Sequence, residues 1–232
     1  MSATGFSLPN WQSAQIPRPV SLCGRTVTLE PLDANLHAAD LWNRIQGHDG
    51  VWQWLFDGPF DTRSAFTADI QAKQAATDRI FYAVIPTGIG AAAGYASFMR
   101  MKPAHGVIEV GSILLAPVLQ RTTAATEAMY LMARHVFEDL GYRRYEWKCN
   151  ALNEPSRRAA LRLGFTFEGI FRQHMVIKGR NRDTAWFAML DSEWPARKDA
   201  FEAWLAPSNF DAEGRQRQQL RCHSSAGPAS DL

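Results

Sequence analysis

The chain has 232 residues, a formal net charge of +2 and 46% hydrophobic content, which fits a soluble globular domain with a sizeable core. This balance shows no bias toward polyanions, and no apolar run approaches the ~18 residues of a membrane span, so neither nucleic acid nor a membrane is expected as a partner. Cys23, Cys149 and Cys222 lack metal-ligand or disulfide-framework spacing, and no basic-then-apolar leader opens the chain, so a cytoplasmic protein is expected.

Residues 1–23 carry Pro9, Pro17 and Pro19 and read as a loosely draped lead. Residues 27–32 alternate like a strand, and Asp33 or Asn35 then caps a helix to about residue 45. An aromatic cluster follows, Trp52, Trp54, Phe56 and Phe60, broken by Gly50, Gly58 and Pro59. A second helix fits 63–76, and strands fit 80–85, 94–100 and 107–115. A long helix then runs from the segment 120–125 to about residue 140, with Ala125, Ala128, Met129, Met132 and Val136 on one apolar face. Gly141 ends it, and 145–149 alternates as the next strand. A short helix over 156–163 stops at Gly164 and Phe165. A hairpin, 167–177 with 184–190, surrounds the basic turn 178–182; a helix over 194–205 and a polar tail, expected to be mobile, complete the chain. The expected organisation is a lead (1–23), a folded domain (24–195) and a C-terminal helix with tail (196–232). This order predicts an α/β protein with a sheet of mixed direction.

The start of the long helix carries the chemistry. Its first N–H groups have no intrahelical partner, and they lie at the positive end of the helix dipole, an arrangement that holds anions. Ala124 and Ala125 allow close approach to the backbone, Thr122 and Thr123 add hydroxyls, and Arg121 adds charge. Neither Gly-x-x-x-x-Gly-Lys-Ser/Thr nor Gly-x-Gly-x-x-Gly follows a strand, which argues against a P-loop or a Rossmann dinucleotide site. The histidines show no His-Glu-x-x-His spacing, and no metal is expected.

Two motifs in this order carry a resemblance. Gln120-x-x-Thr123-x-Ala125 resembles the Gln/Arg-x-x-Gly-x-Gly/Ala pyrophosphate loop of the GNAT superfamily of acyl-CoA N-acetyltransferases, with Thr123 in place of a glycine. Asn153-Glu-Pro-Ser156 followed by Leu163-Gly-Phe165 is similar to the Asn-x-x-Ser…Leu-Gly-Phe signature of its ribosomal-protein N-terminal acetyltransferase (RimJ/RimL-like) branch. Gly169, Asp183 and Glu193–Trp194 also stand where that branch tends to have them. The likeness covers roughly 24–195. It implies a GNAT-like, mostly antiparallel central sheet with splayed fourth and fifth strands and helices on both faces.

It further implies an acetyltransferase that moves an acetyl group from acetyl-CoA, as cosubstrate, to a primary amine by direct attack. Ile113, Leu114 and Leu115 would pair with the pantetheine arm, a backbone N–H near Ile113 or Leu114 polarising the thioester carbonyl. Gln120, Arg121, Thr122, Thr123, Ala124 and Ala125 would hold the pyrophosphate, and Asn153 would contact pantetheine or hold its loop open. Glu109 is the base candidate, and Ser156 the hydroxyl near the sulfur, because the tyrosine acid of many relatives is replaced by Ala160. For Glu109 the alternative is an ordinary strand carboxylate, and for Asn153 and Ser156 simple helix capping. Trp52, Trp54, Phe60 and Arg172 are the acceptor-side candidates; the aromatics equally suit a core. Arg172, His174 and the basic turn could favour an acidic acceptor, or simply face water. Protein N-termini, small amine metabolites and aminated antibiotics all remain open as acceptors, as does a homodimer. A non-catalytic acyl-CoA-binding or regulatory module is the alternative function.

Overall fold

A computed structural model of the protein describes residues 5–222. One eight-stranded sheet runs through it in the order β1-β2-β3-β4-β5-β6-β8-β7. The strands are β1 (Leu22–Cys23), β2 (Val27–Pro31), β3 (Arg79–Pro86), β4 (Gly94–Lys102), β5 (Val107–Leu115), β6 (Arg144–Asn150), β7 (Thr166–Ile177) and β8 (Arg180–Leu190). Every neighbouring pair is antiparallel except β5 and β6. The short β1 was not expected, so the predicted fourth and fifth strands are β5 and β6.

Helices cover both faces. On one lie α1 (Ala34–Ile45) and α2 (Arg63–Gln74), started by the side-chain caps Asp33 and Thr62. Leu41, Ile45, Phe66 and Ile70 form a core there with Phe81, Tyr95 and Leu114 of the sheet. The other face carries α3 (Thr123–Arg134) and α5 (Trp194–Leu205), packed on Tyr82, Phe98, Val110, Tyr145 and Phe187. The predicted stripe on α3 is real but too narrow: every residue from Ala124 to Ala133 is buried. Sheet, α5 and the β1–β2 turn enclose the helix, and the Glu127 carboxylate accepts from the Arg25 and Thr26 N–H groups at 2.8 and 2.6 Å. A π-helical turn, His135–Asp139, follows α3, so the long helix ends in a wider turn than its apolar spacing suggested.

The two ends of the described chain are better fastened than their composition implied. Trp11 donates its indole N–H to the Ala104 carbonyl at 3.1 Å, and Gln15 N–H reaches Leu140 O at 2.8 Å. After α5, Trp204 donates to Gln216 Oε1 at 2.8 Å, and Leu220 and Cys222 are buried. The rest of the tail that was expected to be mobile, 223–232, lies outside the described residues.

Candidate active site

β5 and β6 pair from Val107↔Arg144 to Val110↔Trp147 and no further. Beyond that rung the strands part, and Lys148, Cys149 and Asn150 pair only with Trp186, Ala185 and Thr184 of β8. A bulge helps to turn β5 away. Three steps on β5, Gly111 to Leu114, face two on β4, Ser97 to Tyr95, and Ser112 takes a left-handed φ of 49°. Ser97 Oγ donates to Gly111 O at 3.0 Å and fixes the bend.

The freed edge of β5 has a definite polarity. Ala116 N–H donates to Ala93 O on the β4 side at 2.9 Å. Strand alternation therefore directs the peptides of Leu115 and Ile113 toward the gap, and that of Leu114 toward β4. The Leu114 side chain is buried in the α1/α2 core, while Ile113 and Leu115 pack on the opposite one. Of the two N–H groups named from the sequence, that of Ile113 is the one turned to the gap.

The start of α3 stands at the mouth of the same gap. Thr122 is its cap: the hydroxyl donates to Leu119 O at 2.8 Å and accepts from Ala125 N–H at 3.1 Å. The first backbone bond returning to the cap runs from Thr126 N–H to Thr122 O at 3.3 Å. The N–H groups of Thr123 and Ala124 are thereby left for a ligand. Arg121, at φ 62°, makes the sharp turn into the cap, and Gln120 donates to Leu115 O at 2.9 Å, tying this loop to the open edge. Thr122 is thus committed to capping, whereas the Thr123 hydroxyl has no protein partner among the described residues.

On the far side of the gap, α4 (Glu154–Arg162) starts at Asn153, whose side chain accepts from Ser156 N–H at 3.2 Å. Trp147 donates its indole N–H to Ser156 Oγ at 3.0 Å. An oxygen that accepts in this way keeps its own hydrogen to donate elsewhere. Cys149 is its neighbour; burial pushes that thiol up, against smaller opposing effects of Ser156 and Arg182. Ala160, at the position of the missing tyrosine, is fully buried.

Glu109 lies on the other face of the sheet, buried, inside a ladder of charges. A second bulge gives Arg100 a φ of 48°, and its Nη1 lies 2.8 Å from both Glu109 oxygens. Lys148 Nζ sits 2.8 Å from Glu109 and 2.7 Å from Glu146. Arg144 joins Glu146 at 2.7 Å and Glu168 at 2.5 Å. Burial raises the Glu146 carboxyl, but Lys148 and Arg144 together outweigh it and leave it below its ordinary value. Lys148 also lies over the Trp186 ring, 3.8 Å from its centre. The sequence reading missed Arg100, Lys148 and Arg182. The signal available was charge at alternate positions, Arg144, Glu146 and Lys148, between the largely apolar Tyr145, Trp147 and Cys149.

The aromatic loop divides. Trp52 is buried, edge-on to Phe60 at 5.2 Å and to Phe66 at 6.1 Å, so its ring belongs to the α1/α2 core. Phe60 is half-buried in the same packing, and Trp54 is half-buried. Phe56 is the ring that reaches the β7–β8 side, with the Arg182 guanidinium 5.1 Å from its centre. Lys178 Nζ clamps the loop there by donating to Trp52 O and Asp57 O at 3.0 and 2.7 Å. Arg172 is exposed in a bulge of β7 that Asp183 holds, its Oδ1 accepting from Gln173 N–H at 2.7 Å.

A mostly antiparallel sheet whose one parallel pair parts in front of an open helix start is the arrangement that the resemblance to the acyl-CoA N-acetyltransferases implied. The comparisons agree. The family description "Acetyltransferase (GNAT) domain" matches residues 26–166, and the chain belongs to that family of acetyltransferases. A GCN5-related N-acetyltransferase from Brucella melitensis is 51% identical, with a TM-score of 0.90 over 92% of this chain and 97% of that one. The Bacillus subtilis (strain 168) protein YdaF, provisionally named a ribosomal N-acetyltransferase, is 26% identical over 173 residues, 73% of this chain and 92% of its own. RimL, a ribosomal L7/L12 alpha-N-protein acetyltransferase crystallised with coenzyme A, shares the fold at a TM-score of 0.63 and 20% identity, over 74% of this chain and 98% of its own. Among the described residues no cluster of His, Cys, Asp and Glu could hold a metal ion, and no helix is long and apolar enough to cross a membrane.

Proposed function

We propose that this protein transfers an acetyl group from acetyl-CoA to a primary amine, a protein N-terminus or a small amine, by direct attack and without an acyl-enzyme. The observation that carries this reading is the gap between β5 and β6 beyond Val110↔Trp147, with the start of α3 at its mouth. The names of YdaF and RimL favour a protein or peptide acceptor.

In this reading the N–H groups of Thr123 and Ala124 hold the diphosphate, with Arg121 adding charge. Small side chains at 124 and 125 let it approach the backbone. Ile113 and Leu115 offer peptide groups to the pantetheine arm, and Ile113 N–H faces the charge that develops on the carbonyl oxygen. Asn153 sets the start of α4 so that the Ser156 hydroxyl can donate to the departing sulfur. Glu109 takes the acceptor's proton through a water, its carboxylate held in place by Arg100 and Lys148.

The test is thiol release from acetyl-CoA over a panel of amines and short peptides. Saturable, amine-dependent release supports the reading. Coenzyme A binding with no release on any acceptor would favour a binding module instead.

A further inference from the structure

The charge ladder on the acceptor face is not balanced. Arg100, Arg144 and Lys148 are each matched to a carboxylate of Glu109, Glu146 or Glu168. Arg182, a fourth cation on the same face, forms no ion pair among the described residues, although only 8% of it is exposed. Its Nε donates to Thr184 Oγ1 at 3.2 Å, and its guanidinium lies against Phe56. Its two terminal nitrogens have no protein partner among the described residues.

A buried guanidinium without a counter-ion is expensive, because its desolvation is not offset by a partner. Burial lowers its proton affinity, as does the charge of Arg100, partly countered by Cys149 and Glu109. Thr184 pairs with Asn150, at the end of β6, which sets Arg182 just beyond the parted strands. Nearby acids are already engaged: the Asp183 side chain by Gln173 and Asn181, and that of Asp57 by Lys73. No described residue supplies the counter-ion, which leaves the two terminal nitrogens for a bound anion.

The geometry points to Arg182 as the residue that recognises a carboxylate on the acceptor, close to the amine that is acetylated. This deepens the transferase reading above and rests on it. A planar fork with two free N–H edges suits a carboxylate in particular. Phe56 packs against the guanidinium on one side, and Thr184 fixes its Nε. The carboxylate could be the α-carboxylate of a free amino acid or the side chain of an acidic residue next to a peptide N-terminus.

Two matched pairs of probes separate these sources: alanine with alaninamide, and the C-terminally amidated dipeptides seryl-glutamate and seryl-glutamine. In coenzyme A-saturated protein labelled at its arginine Nε, the resonance lost in Arg182→Lys should shift saturably with the carboxylate member of one pair and not with its neutral mate. In thiol-release kinetics, Arg182→Gln should raise KM for that acceptor about 10- to 100-fold with little change in kcat, as loss of a charged hydrogen bond predicts. Arg182→Lys should restore part of the loss. Equal response to both members of each pair, or a carboxylate preference that survives Arg182→Gln, overturns the assignment. Thiol release without such a preference removes this inference and leaves the transferase reading intact. A selective resonance shift with no release on any amine removes the transferase reading and leaves an anion site.

Discussion

Lys148 Nζ lies 2.8 Å from Glu109 Oε2, bridging β5 and β6 beside the last rung that joins them. Both side chains are at most 5% exposed, so the pair ties β5 to β6 at the end of their backbone pairing. Lys148→Met would leave Glu109 and Glu146 facing each other in a buried site. The expected cost, by urea unfolding, is about 3 kcal/mol. The double variant Lys148→Met with Glu109→Gln should recover part of it. A single variant as stable as the parent would show that the bridge holds nothing.

Glu109 itself is expected to act in turnover. Glu109→Gln keeps its shape and its place beside Arg100 but cannot take a proton. It should lower kcat about 100-fold while leaving the KM for acetyl-CoA near its parent value. An unchanged kcat would reduce Glu109 to a strut for Lys148.

The ladder also predicts acid sensitivity. The Glu146 carboxyl lies below its ordinary 4.5 in the folded protein. A depressed carboxylate stabilises the fold fully above its unfolded pKa, and this contribution fades as pH falls through the lower folded value. Melting temperature followed from neutral pH to about pH 3 should therefore fall less steeply at the acid end in Glu146→Gln than in the parent. Parallel curves would contradict this.

Ser156 and Cys149 are neighbours with opposite expectations. Trp147 occupies the Ser156 oxygen as donor and leaves the hydroxyl hydrogen for the sulfur. Ser156→Ala should lower kcat about tenfold, the worth of one hydrogen bond to a charged group. Cys149 is buried, and its thiol is pushed up, which makes it a poor nucleophile at neutral pH. Cys149→Ala should retain most activity, and intact protein mixed with acetyl-CoA should gain no acetyl mass. A stable acetyl adduct at Cys149 would mean a different mechanism.

The sequence revealed the elements that follow a local rule. Asp33, one of the two cap candidates, does cap α1, and the apolar spacing of Ala125, Ala128 and Met132 located α3. The segment 120–125 was readable as the opening of α3 because Thr122 caps the helix through its own chain neighbours, Leu119 and Ala125. What remained hidden depends on register. Leu114 and Ile113 look alike in one dimension, and the bulge at Ser112 decides which peptide meets the gap. The same holds for Arg100, turned onto Glu109 by its own bulge, and for Phe56, which faces Arg182 while Trp52 sinks into the core. No composition rule ranks one aromatic of a cluster above its neighbours; the sheet they meet does.

The most direct test of the whole account is calorimetric titration of coenzyme A into the parent protein and into Thr123→Asp, which sets a carboxylate at the half-buried first residue of α3, beside its open N–H groups. The account predicts saturable heat from a single site in the parent and a loss of at least about tenfold in affinity in the variant, with an unchanged melting temperature. No heat in the parent, or equal affinity in the two proteins, would contradict it.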